Sequence, residues 1–216
     1  MIPVKILAVR YLANASPALA RALGAPAGYP SLGLLTTDSD DATYIALDAA
    51  TKAADVEVAY GRSFYAGAAN STTPNAGEVI GILAGATPGA VKSGMEAAVA
   101  ALNRVGFEEV GVVPYLAHTV SSVGSFLAKE AGVPLGSAVA YLIAPPLESM
   151  YALDAALKAA DVKLCKLYAP PSETNFGGGL LSGTQSACEA ACTAFAAAVA
   201  EVARIPKEGE MGYGIG

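Results

Sequence analysis

Charge is scarce in this sequence. Asp, Glu, Lys and Arg make up only 15% of its 216 residues, against about a quarter in ordinary soluble chains. The formal charge is −6, and no cluster of Lys and Arg interleaved with aromatics occurs, which excludes a nucleic-acid footprint. Despite a mean hydropathy of +0.46, no uninterrupted apolar run reaches the roughly 18 residues of a membrane span. The stretch from Met1 to Leu12 is too short for a signal peptide and lacks a small-residue cleavage pattern, so the expected location is cytoplasmic.

Chemistry-bearing residues are equally sparse. The only histidine is His118, in Tyr115-Leu116-Ala117-His118-Thr119, and no Gly-x-Ser-x-Gly elbow accompanies it. It reads as a structural residue at a strand end, so no catalytic residue is assigned. Phosphate loops of the Walker type are absent. No Gly-rich turn follows the first strand, which argues against a dinucleotide-binding domain. Three cysteines do not make a disulfide framework. Cys188 and Cys192 share a helical face and Cys165 lies in an apolar strand; all three read as small buried thiols. Asp38-x-Asp40-Asp41 lacks the further oxygen ligands a divalent cation needs. No metal and no cofactor is expected.

What the chain does have is a repeat. Ala46-Leu47-Asp48-Ala49-Ala50-Thr51-Lys52-Ala53-Ala54-Asp55-Val56 returns as Ala152-Leu153-Asp154-Ala155-Ala156-Leu157-Lys158-Ala159-Ala160-Asp161-Val162, at a constant offset of 106 residues. The simplest organisation is two copies of one unit, 1–105 and 106–205, with a Gly-rich and mobile tail at 206–216. The repeated segment is an Ala-rich helix carrying an Asp/Lys pair at i, i+4, suited to close packing and devoid of obvious chemistry. Hydrophobic residues are 54% of the chain, an excess that self-association would hide.

The periodicity predicts strand, helix, strand, helix, strand, strand, helix, and then the same again. The first set comprises strand 6–12, helix 18–23 entered through Ser16 as cap and Pro17, strand 31–37, helix 42–54, strand 56–60, strand 78–83 and a helix from Thr87 or Pro88 to about Val105. The second comprises 112–119, 123–131, 138–144, 147–160, 162–167, 180–182 and 185–204. The acidic corner Asp38-Ser39-Asp40-Asp41 opens the repeated helix, where a capping role is the ordinary reading. Long loops precede the last strand of each copy, at 61–77 and 169–179. Both mix aromatics, glycines and hydroxyls, which suits lining or gating as well as plain surface connection.

Several segments carry a resemblance. Ser31-Leu32-Gly33-Leu34, Thr37-Asp38-Ser39-Asp40-Asp41-Ala42-Thr43-Tyr44 and Tyr60-Gly61-Arg62-Ser63-Phe64-Tyr65-Ala66-Gly67-Ala68 are similar to bacterial microcompartment shell proteins of the tandem-domain, ethanolamine-utilisation type. So are Ala144-Pro145-Pro146-Leu147-Glu148, Pro171-Ser172-Glu173-Thr174-Asn175-Phe176 and Gly183-Thr184-Gln185-Ser186-Ala187-Cys188. The resemblance covers residues 5–205. It implies an α/β sandwich of two tandem, circularly permuted, ferredoxin-like shell (BMC) domains. It also implies a homotrimer that tiles as a pseudo-hexamer with other shell proteins in a sheet.

On this resemblance the central-pore loops would hold Arg62, Ser63, Phe64, Tyr65, Gly67 and Asn70 from one copy. From the other they would hold Ser172, Glu173, Thr174, Asn175, Phe176 and Gly177. A small pore binding ethanolamine would use Asp40, Asp41, Glu78 and Phe107. Those residue types suit a primary ammonium, since carboxylates give charge-assisted hydrogen bonds and an aromatic face adds about 0.5–2 kcal/mol of cation–π attraction. Other readings remain beside this one: the shell of a different catabolic compartment, or a regulatory oligomer that senses a small metabolite between paired α/β repeats.

Overall fold

The computed structural model describes residues 1–64, 75–170, 172 and 175–207. The first half runs β1 (Ile6–Leu12), α1 (Pro17–Ala22), β2 (Ser31–Thr37), α2 (Asp40–Ala53), β3 (Val56–Ser63), β4 (Val79–Gly85) and α3 (Pro88–Leu102). The second runs β5 (Glu108–Val110), β6 (Val113–Val120), α4 (Ser125–Ala131), β7 (Ala138–Ala144), α5 (Pro146–Ala159), β8 (Val162–Tyr168), β9 (Gly177–Gly183) and α6 (Gln185–Arg204).

The two halves repeat one topology. The first sheet has the order β1-β2-β4-β3 and the second β5-β6-β7-β9-β8, with antiparallel pairing throughout. Removing β5 leaves the same order twice. Even the irregularities recur: β3 slips register between Val58 and Tyr60, and β8 slips between Leu164 and Lys166, at the repeat offset. The turns after α1 and α4 also match, with Gly24 and Gly28 in one and Gly132 and Gly136 in the other, all at positive φ. Such φ values cost other residues and come free to glycine.

Helix starts follow local chemistry. Thr87 Oγ1 accepts from Ala90 N and Thr184 Oγ1 from Ala187 N, both at 3.1 Å, which satisfies first-turn donors of α3 and α6. Ser16 occupies the N-cap of α1 without a side-chain bond to the helix. The helix α6 is long and apolar enough to cross a bilayer by length and composition. Here it is the core helix of the second half, with Cys188, Ala191, Cys192, Phe195 and Val199 buried.

Two differences from the sequence reading have physical causes. The three-residue β5 lies in what reads as a connection, and it exists because Glu108–Val110 pairs back on Val113–Tyr115. Residues 177–179 read as loop, yet they open β9, between β7 and β8. Glycine is depleted from strands, but here the backbones come too close for anything else. A Cβ on Gly178 would lie 1.9 Å from the Leu142 carbonyl oxygen, and one on Gly179 would lie 2.6 Å from that of Lys166.

The largest apolar cluster crosses the chain midpoint. It joins Leu35, Leu47, Leu83 and Met95 of the first half to Leu116, Leu127, Val139 and Leu180 of the second. A buried carboxylate fixes that junction. Asp48 of α2 accepts from Gly124 N at 2.8 Å and from Leu127 N at 2.9 Å, capping α4 from a distant element. Lys52 sits 3.3 Å from the same carboxylate and donates to the Ser122 carbonyl at 2.8 Å.

Candidate functional site

Where the halves meet, the corner between β2 and α2 brings acids to two neighbouring concavities. The smaller has a volume of about 170 Å³ and is lined by Ile2, Pro3, Val4, Asp38, Ser39, Asp40, Glu78, Phe107, Pro114 and Phe176. Its walls are tied by backbone bonds: Ile2 N donates to the Phe107 carbonyl at 2.6 Å, and Glu78 N to that of Thr37 at 2.8 Å. Lys5 N donates to the Asp38 carboxylate at 2.7 Å. The rings of Phe107 and Phe176 pack in a tilted pair, with centroids 5.7 Å apart and planes at 54°.

The larger cleft, about 680 Å³, opens beside β3, α4 and β8. Asp40 lines both concavities, whereas Asp41 lines only the larger. Tyr141 donates its hydroxyl to Asp41 Oδ1 at 2.7 Å, and its ring stacks on Tyr168 at 6.1 Å. Lys166 pairs with Glu130 and lies over the Tyr168 ring. Tyr44 and Ser63 share a hydrogen bond of 2.5 Å, and Ser63 in turn bonds the Asp40 carboxylate.

Of the four residues expected at the small pore, the structure therefore gathers Asp40, Glu78 and Phe107 around one pocket and turns Asp41 to the other side. Asp38, Ser39 and Phe176 complete the pocket beyond that expectation. Of the residues expected at the central pore, Arg62 and Ser63 end β3 and line the larger cleft with Ser172, and Phe64 N donates to the Glu78 carbonyl at 2.9 Å. Asn175 has φ 66 in a turn where its N–H donates to the Ser172 carbonyl; Phe176 lines the small pocket, and Gly177 opens β9. Tyr65, Gly67, Asn70, Glu173 and Thr174 lie outside the described residues, as does the tail from 208.

Both loops are thus rooted at the walls of the small pocket. Its volume is below the roughly 300–1,000 Å³ of drug-sized sites, so it suits a metabolite of a few heavy atoms. Between the two concavities, size favours the larger cleft and charge the smaller. In the larger, Arg62, Lys129 and Lys166 offset the acids; among the described residues no lysine or arginine lines the smaller.

The acids are held away from their ordinary titration range. Burial, followed by repulsion from Asp40, pushes Asp41 well above the usual carboxylate value, against the Tyr141 hydrogen bond. Burial also raises Asp40, opposed by hydrogen bonds from Ser63 and the Asp41 backbone. Glu78 is raised by burial and then by Asp40 and Asp38. A cation entering the pocket would relieve this crowding. Among the described residues no group of three or more His, Cys, Asp or Glu is placed to hold a metal ion. His118 is half-buried in β6, its imidazole pushed down by burial and by Lys52. Burial pushes the Cys192 thiol up to about 11.

A BMC-domain family model matches residues 31–114. Over 210 residues, covering 95% of this chain and 97% of the relative, the chain is 55% identical to the bacterial microcompartment shell protein EutL of Clostridium perfringens. It is 49% identical over the same length to the EutL shell protein of Salmonella typhimurium, covering 95% of this chain and 96% of that one. The crystal structure of the ethanolamine utilization protein EutL from Leptotrichia buccalis is similar at a TM-score of 0.92 and 57% identity, covering 95% of this chain and 96% of its own.

Proposed function

The chain belongs to the EutL family of bacterial microcompartment shell proteins, and from that premise we propose that three copies form a facet tile whose small pocket admits ethanolamine. It is a shell component and not an enzyme. The observation that carries the ligand reading is the convergence of Asp38, Asp40 and Glu78 with two phenylalanine rings around a pocket that no lysine or arginine lines among the described residues. A primary ammonium gains charge-assisted hydrogen bonds from such carboxylates. It also gains attraction to the aromatic faces.

The internal repeat supports the trimer. Within one chain, α2 receives the N-terminus of α4 on Asp48, and Leu127 is 1% exposed while Ile45 is 4% exposed. Their counterparts in the repeat are uncovered: Leu19 of α1 is 45% exposed and Tyr151 of α5 is 40% exposed. Docking α5 of one copy on α1 of the next reproduces the internal contact between chains, with Asp154 in the place of Asp48. Six repeats in three chains then close the ring. The loops at 61–77 and 169–179 converge on its axis as a gated central pore, and the tile joins other shell proteins in the sheet.

Calorimetry on the purified protein tests the ligand reading. Ethanolamine should bind at one site per chain, and Glu78→Gln should weaken it about tenfold, the worth of one charge-assisted hydrogen bond. Equal affinity of the two proteins would remove the pocket from consideration.

A further inference from the structure

We propose that the strap ahead of β1, Ile2-Pro3-Val4, is the size-limiting wall of the small pocket, admitting a short amino alcohol and excluding one with a branched carbon chain. The inference rests on the pocket's assignment to ethanolamine and adds the residues that set its upper size. Ile2, Pro3 and Val4 all line the pocket, yet they belong to no helix or strand. They are pinned at both ends by the pocket's own walls. Ile2 N donates to the Phe107 carbonyl at 2.6 Å. At the other end Lys5 N donates to the Asp38 carboxylate at 2.7 Å, and Asp38 N returns a bond to the Lys5 carbonyl at 3.2 Å. Val4 packs against the main apolar cluster. The strap thus bridges Phe107 of the second half to Asp38 of the first.

Its chemistry suits a boundary and not a binding group. The side chains of Ile2, Pro3 and Val4 carry no hydrogen-bonding atom, and proline also lacks the backbone N–H. The ammonium therefore stays with the carboxylates, and the strap meets the ligand's carbon atoms. Ile2 is 42% exposed, which makes the strap an outer wall with solvent on its far side. Its seat is close-fitting. A Cβ on Gly106 would lie 2.5 Å from the Ile2 carbonyl oxygen and 3.2 Å from Met1 Cγ. Gly106 does not line the pocket, so a side chain there displaces the strap and leaves the identity of every lining residue unchanged. In a pocket of about 170 Å³, extra carbon atoms must push a wall aside, and overfilling a packed site is unfavourable.

The test compares ethanolamine with valinol by calorimetry. Valinol keeps the primary ammonium and the hydroxyl and adds an isopropyl branch on the carbon that bears the nitrogen. The native protein should prefer ethanolamine by about thirtyfold, the middle of the range for overpacking. Gly106→Ala should bring the two ligands within about threefold, chiefly by tightening valinol, because the wall no longer resists the branch. Should the alanine unsettle the connection between the halves, deletion of Ile2 and Pro3 gives the same comparison. A preference that survives both changes, an equal loss of both amino alcohols in both variants, or a native protein that binds valinol as well as ethanolamine overturns the role of the strap and leaves the pocket's assignment intact. A native protein that binds neither overturns the assignment and this inference together.

Discussion

At the scale of single residues, the buried acids make the sharpest claims. Asp41 is held well above the usual carboxylate value of about 3.9 by burial and by Asp40. A carboxyl raised in the folded state binds more protons there than in the unfolded chain throughout the interval between its two pKa values. Stability therefore falls as pH rises through that interval and is recovered on acidification towards about 4. Asp41→Asn keeps an acceptor for the Tyr141 hydroxyl and removes the titration. The melting temperature of Asp41→Asn, followed from neutrality down to pH 5, should change less than that of the native protein; parallel profiles would contradict the burial argument. Ligand binding should respond in the opposite sense. Asp40 and Glu78 are also raised, so ethanolamine affinity should decline on acidification before ordinary carboxylates titrate, a trend visible by calorimetry across the same pH range.

At the scale of elements, the duplicated helix shows how one sequence takes two roles. Asp48 is fully buried and caps α4, whereas Asp154, in a repeated segment that differs only in Leu157 for Thr51, is exposed and paired with Lys158 at 2.5 Å. Asp48→Ala leaves two backbone donors and a lysine without their carboxylate and should cost about 2–4 kcal/mol in chemical denaturation. Asp154→Ala should leave the fold within about 0.5 kcal/mol and act on assembly instead. A large loss of fold stability in Asp154→Ala would show that the two copies are less differently placed than their burial indicates. The repeat, the order of the elements other than β5 and most strand positions were legible from periodicity alone, because the apolar spacing of each element is local. Which copy of the helix is covered was not, since that depends on what arrives from 76 to 79 residues away at Gly124 and Leu127. The same holds for the acidic corner. Local rules saw a helix cap at 38–41, but that Asp40 faces Glu78 and Phe107 while Asp41 faces Tyr141 is decided by the second half folding over it. The glycines at 177–179 misled for a related reason, as their use is set by neighbouring backbones and not by propensity.

At the scale of the whole molecule, the surface left open is the surface the repeat covers elsewhere. Leu147, Tyr151, Leu164 and Leu167 of the second half and Tyr11, Leu12 and Leu19 of the first are all exposed in the single chain. A chain with 54% hydrophobic residues and such faces at both ends is suited to head-to-tail closure, which forms rings when the rotation closes. The contact is specific in this account: α5 of one copy seats on α1 of the next, with Asp154 repeating the part of Asp48. Sedimentation equilibrium of the native protein beside Asp154→Arg tests this directly. The native protein should have about three times the mass of the 21.5 kDa chain, and the arginine variant should shift towards the single chain while keeping its circular dichroism. A native protein that sediments as one chain, or a trimer indifferent to charge reversal at Asp154, would contradict it.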